Sequence, residues 1–184
     1  MGKLIELDTP VRLAVDQYVR EAADGSGPAG LWVFGPRFSG TSTAGRYVKQ
    51  ALRQYPDIVL QGSACHIRAS DLLNKIRREW IQRDVLRTNS SDWAVWQEWS
   101  ALDAFFDEMW YGAALTWIDD LFEETDSDFF RKHVLPAVDR RLKEGKLTVI
   151  SGQVSPEKFG PQWAVAIRSR CRILHRTTDR LSGG

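Results

Sequence analysis

The chain has 184 residues, 43% of them hydrophobic, and its 25 basic and 24 acidic side chains leave a formal net charge of +1. That length suffices to bury one α/β core, while the two cysteines, without metal-ligating spacing, exclude a disulfide scaffold or a zinc module. No apolar run of membrane length and no signal-peptide pattern occurs, so the expected setting is a reducing cytoplasm with no membrane partner.

In chain order, a short extension over residues 1–13 leads into a helix expected over VRLAVDQYVREAA. An apolar strand, LWVF, then breaks into Gly35-Pro36-Arg37-Phe38-Ser39-Gly40-Thr41-Ser42, followed by Thr43. This is the outline of the phosphate-binding pattern G-x-x-x-x-G-K-[ST]. In that pattern glycines let backbone N–H groups curl around phosphates, Lys reaches the terminal phosphates and a hydroxyl ligates Mg²⁺. Gly35, Gly40 and Ser42 fit, but Thr41 stands where Lys belongs. Without the ammonium, charge developing on a transferred phosphoryl group loses a principal stabiliser, so ATP hydrolysis is expected to be impaired or absent. The plainer alternative is a strand-to-helix turn that binds nothing. Arg37, inside the loop, or Arg46, one helical turn beyond Ser42, would restore positive charge; otherwise both are ordinary solvent-facing residues.

TAGRYVKQALRQY follows at helical period, its N-terminus a potential anion site. DIVLQGSA reads as a second strand around 57–61, and ASDLLNKIRREW as a helix with Leu72, Leu73, Ile76 and Trp80 on one side and Ser70 or Asp71 as its cap. Between Arg68 and Arg87 lie Arg68, Lys75, Arg77, Arg78, Arg83 and Arg87 against three acids. That cluster is a candidate DNA-binding surface or, equally, a solvated helix face.

Trp93, Trp96, Trp99, Phe105, Phe106 and Trp110 come next, among Asp92, Glu98, Asp103, Asp107 and Glu108. Carboxylates repel phosphates, so these aromatics read as core packing first and as a protein-binding patch second. AALTWIDDLFEE is a strand ending in two acids. Ligands gather at the carboxyl ends of parallel strands, which makes Asp119 the expected Mg²⁺ carboxylate, with Ser42, and Asp120 the expected water-orienting residue. KLTVISGQ (146–153) and RCRILHR supply two more strands. Five strands alternating with helices predict a three-layer α/β fold around a mostly parallel sheet.

Charge is unevenly spread. From Thr88 to Phe130 there are eleven acids and no Lys or Arg, whereas twelve basic residues face four acids from Arg131 onward. This marks either a surface for partners, including head-to-tail self-association, or two solvated faces. His66, His133 and His175 have no partner at catalytic spacing, and Cys65-His66 reads as a partly buried strand pair rather than a thiol enzyme. Ser151 lacks the nucleophile-elbow pattern.

The passages AVDQYVREAADGSGPAGLWVFGPRFSG, ASDLLNKIRREW, AALTWIDDL, FFRKHVLPAVDRRLKEGKLTVISGQVSPEKF and CRILHRTTDR, taken in order, resemble the DnaC/IstB-like AAA+ ATPases, the helicase loaders of bacteria and phages and their transposition relatives. The resemblance covers residues 14–180, leaving 181–184 as a flexible tail. It implies an AAA+ P-loop core, ATP or ADP and Mg²⁺ as ligands, a replicative helicase as partner, and single-stranded DNA contact by the region after the second strand. It also implies that Gln153, where the family's pattern has Asn, senses the terminal phosphate. For the trans-acting arginine, the Ser-Arg dipeptide selects Arg170, whereas counting back from the last strand selects Ala166. An arginine finger accelerates hydrolysis by about 10³ to 10⁵ where it operates. The family's loaders usually carry an N-terminal extension; the dozen residues here leave partner binding to the core itself or to another subunit. The expected function is a helicase-loader-like DNA-replication accessory protein with an impaired nucleotide site. The alternatives are an active DNA-stimulated ATPase whose missing Lys is compensated, and a nucleotide-free adaptor.

Overall fold

The computed structural model of the protein describes residues 9–37, 39–55, 64–88, 112–122 and 127–176, with 79–88 and 127 described by backbone alone. In order come α1 (Thr9–Asp24), β1 (Gly30–Phe34), α2 (Thr41–Leu52), β2 (Ala64–Arg68), α3 (Ala69–Thr88), β3 (Leu115–Leu121), α4 (Ser127–His133), α5 (Leu135–Lys143), β4 (Leu147–Gly152), a 3₁₀ turn (Pro156–Phe159), α6 (Pro161–Arg168) and β5 (Cys171–His175). The sheet runs β2-β3-β4-β1-β5, and all its pairings are parallel. The second strand follows the 57–61 stretch, which lies outside the described residues, as do the tryptophan-rich segment 93–110 and the tail.

Burial explains the sequence patterns. β4 is buried at every position and β1 at all but its last, because a central parallel strand is covered on both faces and needs apolar residues throughout. The edge strand β2, ACHIR, is mostly exposed and carries a mixed polar sequence. Alternate residues feed two separate cores. Leu31, Val33, Trp117 and Val149 pack with Val15, Tyr18 and Val48 of α1 and α2. Trp32, Ile118 and Ile150 pack with Leu72, Phe130, Leu135, Phe159 and Ile167 from the opposite helical layer. The result is the expected three-layer α/β architecture.

Two buried side chains tie layers together through polar atoms. Trp32 Nε1 donates to the Val154 carbonyl at 2.8 Å. Arg141, only 1% exposed, donates from Nη2 to the carbonyls of Ala113 and Leu147 at 3.0 and 3.1 Å and from Nε to Thr148 Oγ1 at 3.2 Å. Desolvation pushes its pKa down to about 10. One member of the basic C-terminal third is therefore an interior strut.

β1 and β4 are neighbours, but α2, which follows β1, packs on one face and α6, which follows β4, packs on the other. Chains diverging to opposite faces leave a crevice at the carboxyl ends of such strands. The space depends on close packing of α2 on β3. A Cβ on Gly45 would overlap the Trp117 ring. Gly45→Ala should therefore lower stability by about 1–3 kcal/mol, the usual cost of overpacking, as read by urea unfolding.

Candidate functional site

The crevice is a cleft of about 380 Å³ lined by Pro36, Arg37, Gly40, Thr41, Ser42, Thr43, Asp120, Phe122, Gly152 and Gln153. Most of the residues expected to meet a nucleotide thus come together. Phe38 lies outside the described residues. Gly35 abuts the end of β5, since a Cβ there would overlap the Arg176 carbonyl. Its N–H donates to the Gly152 carbonyl at 3.1 Å, joining the starts of the two diverging loops. Gly40 caps α2 in the left-handed conformation, at φ 80°, a region open to glycine without strain. Ser39 Oγ is buried within the loop without a hydrogen-bond partner among the described residues.

Period-two geometry builds the acidic side of the cleft. Trp117 and Asp119 share the β3 face turned toward α2, and Ser151 shares the corresponding face of β4. Ser42 Oγ donates to Asp119 Oδ1 at 2.8 Å, and Ser151 Oγ donates to the same oxygen at 2.6 Å. Trp117 Nε1 donates to Ser151 Oγ at 2.7 Å, completing a buried relay. Asp119 is 4% exposed. Simple alternation would turn Asp120 to the other face. Instead the β3–β4 register shifts between Ile118 and Leu121, and Asp120 takes φ 56°. A bulge of this kind re-aims side chains, leaving Asp120 Oδ1 at 3.3 Å from Ser42 Oγ.

The basic cluster divides. Arg68 sits with its Nε 3.5 Å from Asp120 Oδ2, touching the acid pair as well as its own surface. Arg68, Lys75 and Arg78, with His66, Asp71 and Asn74, line a second groove of about 600 Å³. Arg77 turns away, its guanidinium 5.0 Å from the Phe129 ring centre. Arg83 and Arg87 lie on α3 beyond its described side chains. Arg37 lies 6.0 Å from the Phe122 ring centre at the cleft mouth, while Arg46 is exposed on α2.

Arg170 lies at the other end of the sheet, directly before β5, its Nη1 donating to Asp139 Oδ1 and the Ala166 carbonyl, each at 3.2 Å. A five-residue strand, about 16 Å long, separates it from the loop of its own chain. Ala166 is half-buried on α6.

Besides Ser151 of the relay, two residues at the site were missed. His66 stacks on Trp117 at 3.9 Å, with Nε2 3.4 Å from Asp119 Oδ2. Strand alternation puts neighbouring Cys65 against the opposite core, so the two do not form a thiol–imidazole pair. Arg176, 8% exposed, donates from Nη1 to the Gly40 carbonyl at 3.0 Å. Both reach the site through strand order, which local sequence does not reveal.

No family model and no curated protein sequence matches the chain. Solved structures do. The DnaC helicase loader is 14% identical, with a TM-score of 0.63 over 93% of this chain and 93% of that one. DnaI is 13% identical, with a TM-score of 0.62 over 94% of this chain and 88% of that one. The replication initiator DnaA bound to AMPPCP and single-stranded DNA is 11% identical, with a TM-score of 0.59 over 92% of this chain and 47% of that one. The chain shares its fold with these three proteins. Among the described residues, no helix is long and apolar enough to cross a membrane.

The residues present fit Mg²⁺. Ser42 and Asp119 are hard oxygen donors whose 2.8 Å separation matches adjacent corners of an octahedron with bonds of about 2.0–2.1 Å. No group of three or more His, Cys, Asp or Glu suited to a metal occurs among the described residues. Ser151→Ala tests the relay beneath this pair. It should cost about 1–3 kcal/mol in denaturant unfolding, because Trp117 Nε1 is left buried without its acceptor.

Proposed function

We propose that this protein is a DNA-replication accessory factor of helicase-loader type. It holds ATP or ADP with Mg²⁺ between the ends of β1 and β4, turns nucleotide over slowly or not at all, and acts by binding DNA, a replicative helicase or copies of itself in the cytoplasm. The observation that carries this reading is the Ser42–Asp119 pair at the foot of a glycine loop, on a fold shared with DnaC and DnaI. That DnaA was solved with AMPPCP and single-stranded DNA supports these two ligand classes.

In this reading the N–H groups from Gly40 to Thr43, at the start of α2, cradle phosphates, Ser42 and Asp119 hold Mg²⁺, Asp120 orients water and Gln153 donates to the outer phosphate. The metal supplies neutralising charge to the phosphate oxygens. Thr41 contributes a hydroxyl where an ammonium would follow the charge developing in phosphoryl transfer, so binding outlasts catalysis. Arg170 would serve only across a contact between copies, after leaving Asp139. Single-stranded DNA lies along the groove of Arg68, Lys75 and Arg78. Because Arg68 also pairs with Asp120, a phosphate that draws Arg68 away loosens that carboxylate.

One observation favours the nucleotide-free adaptor as second reading: both oxygens of Asp119 already meet groups of this chain, Ser42 and Ser151 on one side and His66 on the other. Thermal unfolding separates the readings. Millimolar ATP with Mg²⁺ should raise the melting temperature, by an amount equivalent to about 2.7 kcal/mol at one hundred times the dissociation constant. Asp119→Asn should remove the Mg²⁺-dependent part, and phosphate release should stay near background. No shift favours the adaptor; turnover that rises with DNA favours the active ATPase.

The DNA surface has its own test. Arg68→Glu with Arg78→Glu should weaken single-stranded DNA binding for every sequence and reduce the logarithmic salt slope by about 0.7 per lost phosphate contact. Arg77→Glu should do less, since Arg77 packs on Phe129. Unchanged affinity in the double variant removes the groove from the proposal.

A further inference from the structure

We propose that Arg37, on the turn of the glycine loop, supplies the positive charge that Thr41 omits and directs it at the outermost phosphate, so that this side chain makes the site prefer a nucleoside triphosphate to a diphosphate. The inference rests on the nucleotide reading above and names the residue that sets its specificity. Among the described residues that line the cleft, Arg37 is the one cation and Asp120 the one acid. The loop makes that placement. Ser39 N–H donates to the Pro36 carbonyl at 3.0 Å, closing a four-residue turn that carries Arg37 at its first corner. From there the side chain leans toward the end of β3, where its Cζ lies 6.0 Å from the ring centre of Phe122. It spans the mouth of the cleft, from the loop to the strand that bears the acid pair.

Its guanidinium is available as its neighbours' are not. Among the described residues it meets only the Phe122 ring and has neither a hydrogen bond nor a carboxylate partner. A cation over an exposed ring is held weakly, whereas guanidinium and phosphate form charge-assisted, often bidentate bonds. A phosphate at the mouth therefore draws Arg37 off Phe122. The other arginines near the loop do not take this part. Arg46 is exposed on α2 and does not line the cleft. Arg68 stands 3.5 Å from Asp120 Oδ2, and Arg176 donates to the Gly40 carbonyl.

Position decides which phosphate Arg37 meets. The N–H groups that open α2 receive the inner phosphates, as helix N-termini do, and Ser42 with Asp119 marks the metal position beside them. A lysine at position 41 would rise from that same first turn. Arg37 instead comes from the turn before Gly40, at the mouth beside Phe122. A nucleotide seated on α2 presents only its last phosphate to that guanidinium. A diphosphate ends short of it and leaves Arg37 on the ring.

Equilibrium binding of ATP and of ADP, each with Mg²⁺, to the full chain tests the assignment, with urea unfolding of each variant as the check of its fold. The unchanged chain should bind ATP about tenfold or more tightly than ADP. Arg37→Gln should weaken ATP about tenfold to a hundredfold, the range for a lost charge-assisted contact, and ADP less than about threefold. Arg37→Lys should retain part of the preference, and Arg46→Gln should leave both affinities unchanged. Adding Thr41→Lys to Arg37→Gln should recover ATP affinity. Equal ATP affinity in Arg37→Gln and the unchanged chain overturns the proposal, as does an equal loss of ATP and ADP, or an unchanged chain that binds the two alike. Should Arg37→Gln not fold, Thr41→Lys in the otherwise unchanged chain decides, since a gain for ATP of about tenfold or more means that no residue was supplying the charge. If the unchanged chain binds neither nucleotide, the nucleotide reading fails and this proposal with it; if it binds both and Arg37→Gln alters neither, only the proposal fails.

Discussion

The site depends on one constraint: β1 and β4 lie side by side in a wholly parallel sheet, and the chain leaves them toward opposite faces. Parallel strands need helical cover on both sides, so their polar loops collect at the ends. Divergence there opens a cleft that no single loop creates. The hydrogen bond from Gly35 N–H to the Gly152 carbonyl fixes how far apart the two loops begin. The glycine loop, the acid pair and Gln153 are arranged around that separation.

Beneath the cleft, packing and polar chemistry share the same residues. Trp117 fills the core under α2, closing on Gly45, while its Nε1 holds Ser151, which in turn holds Asp119. His66 stacks on the same ring and approaches the second carboxylate oxygen. A buried carboxylate is tolerable only when its oxygens are satisfied. Here that satisfaction comes from the same side chains that position it beside Ser42. Asp120 is placed by different means, a register shift and a left-handed backbone, strain of a kind that persists where surrounding structure enforces it.

Charge is handled in the same distributed way. The basic C-terminal third looked like a surface, yet Arg141 lies inside, satisfied by carbonyls and Thr148, and Arg176 lies against the loop. Arg170 is committed to Asp139. The basic groove along α3 keeps Arg68, Lys75 and Arg78 together but loses Arg77 to Phe129. Counting basic residues therefore overstated the cationic surface, because a guanidinium can be solvated by the protein's own backbone as well as by water.

How far the sequence could be read depended on how local each signal was. β1 and β4 announce themselves as unbroken apolar runs because both faces are buried, and the glycine loop is legible because its pattern is contiguous. The acids Asp119 and Asp120 were legible as the polar end of a buried strand. β2 was not: ACHIR is an edge strand whose exposed positions admit polar residues, so it lacks the hydrophobic signature and the apolar 57–61 stretch drew the assignment instead. His66, Ser151 and Arg176 join the site only because β2 pairs with β3, β4 with β3, and β5 with β1. The sequence alone determined an α/β chain with a glycine loop that follows the phosphate-binding pattern without its lysine, since period and motif are local properties. Tertiary structure alone decided which charges stand beside that loop, since strand order, not spacing, brings residues 66, 119, 151 and 176 to residues 40–42.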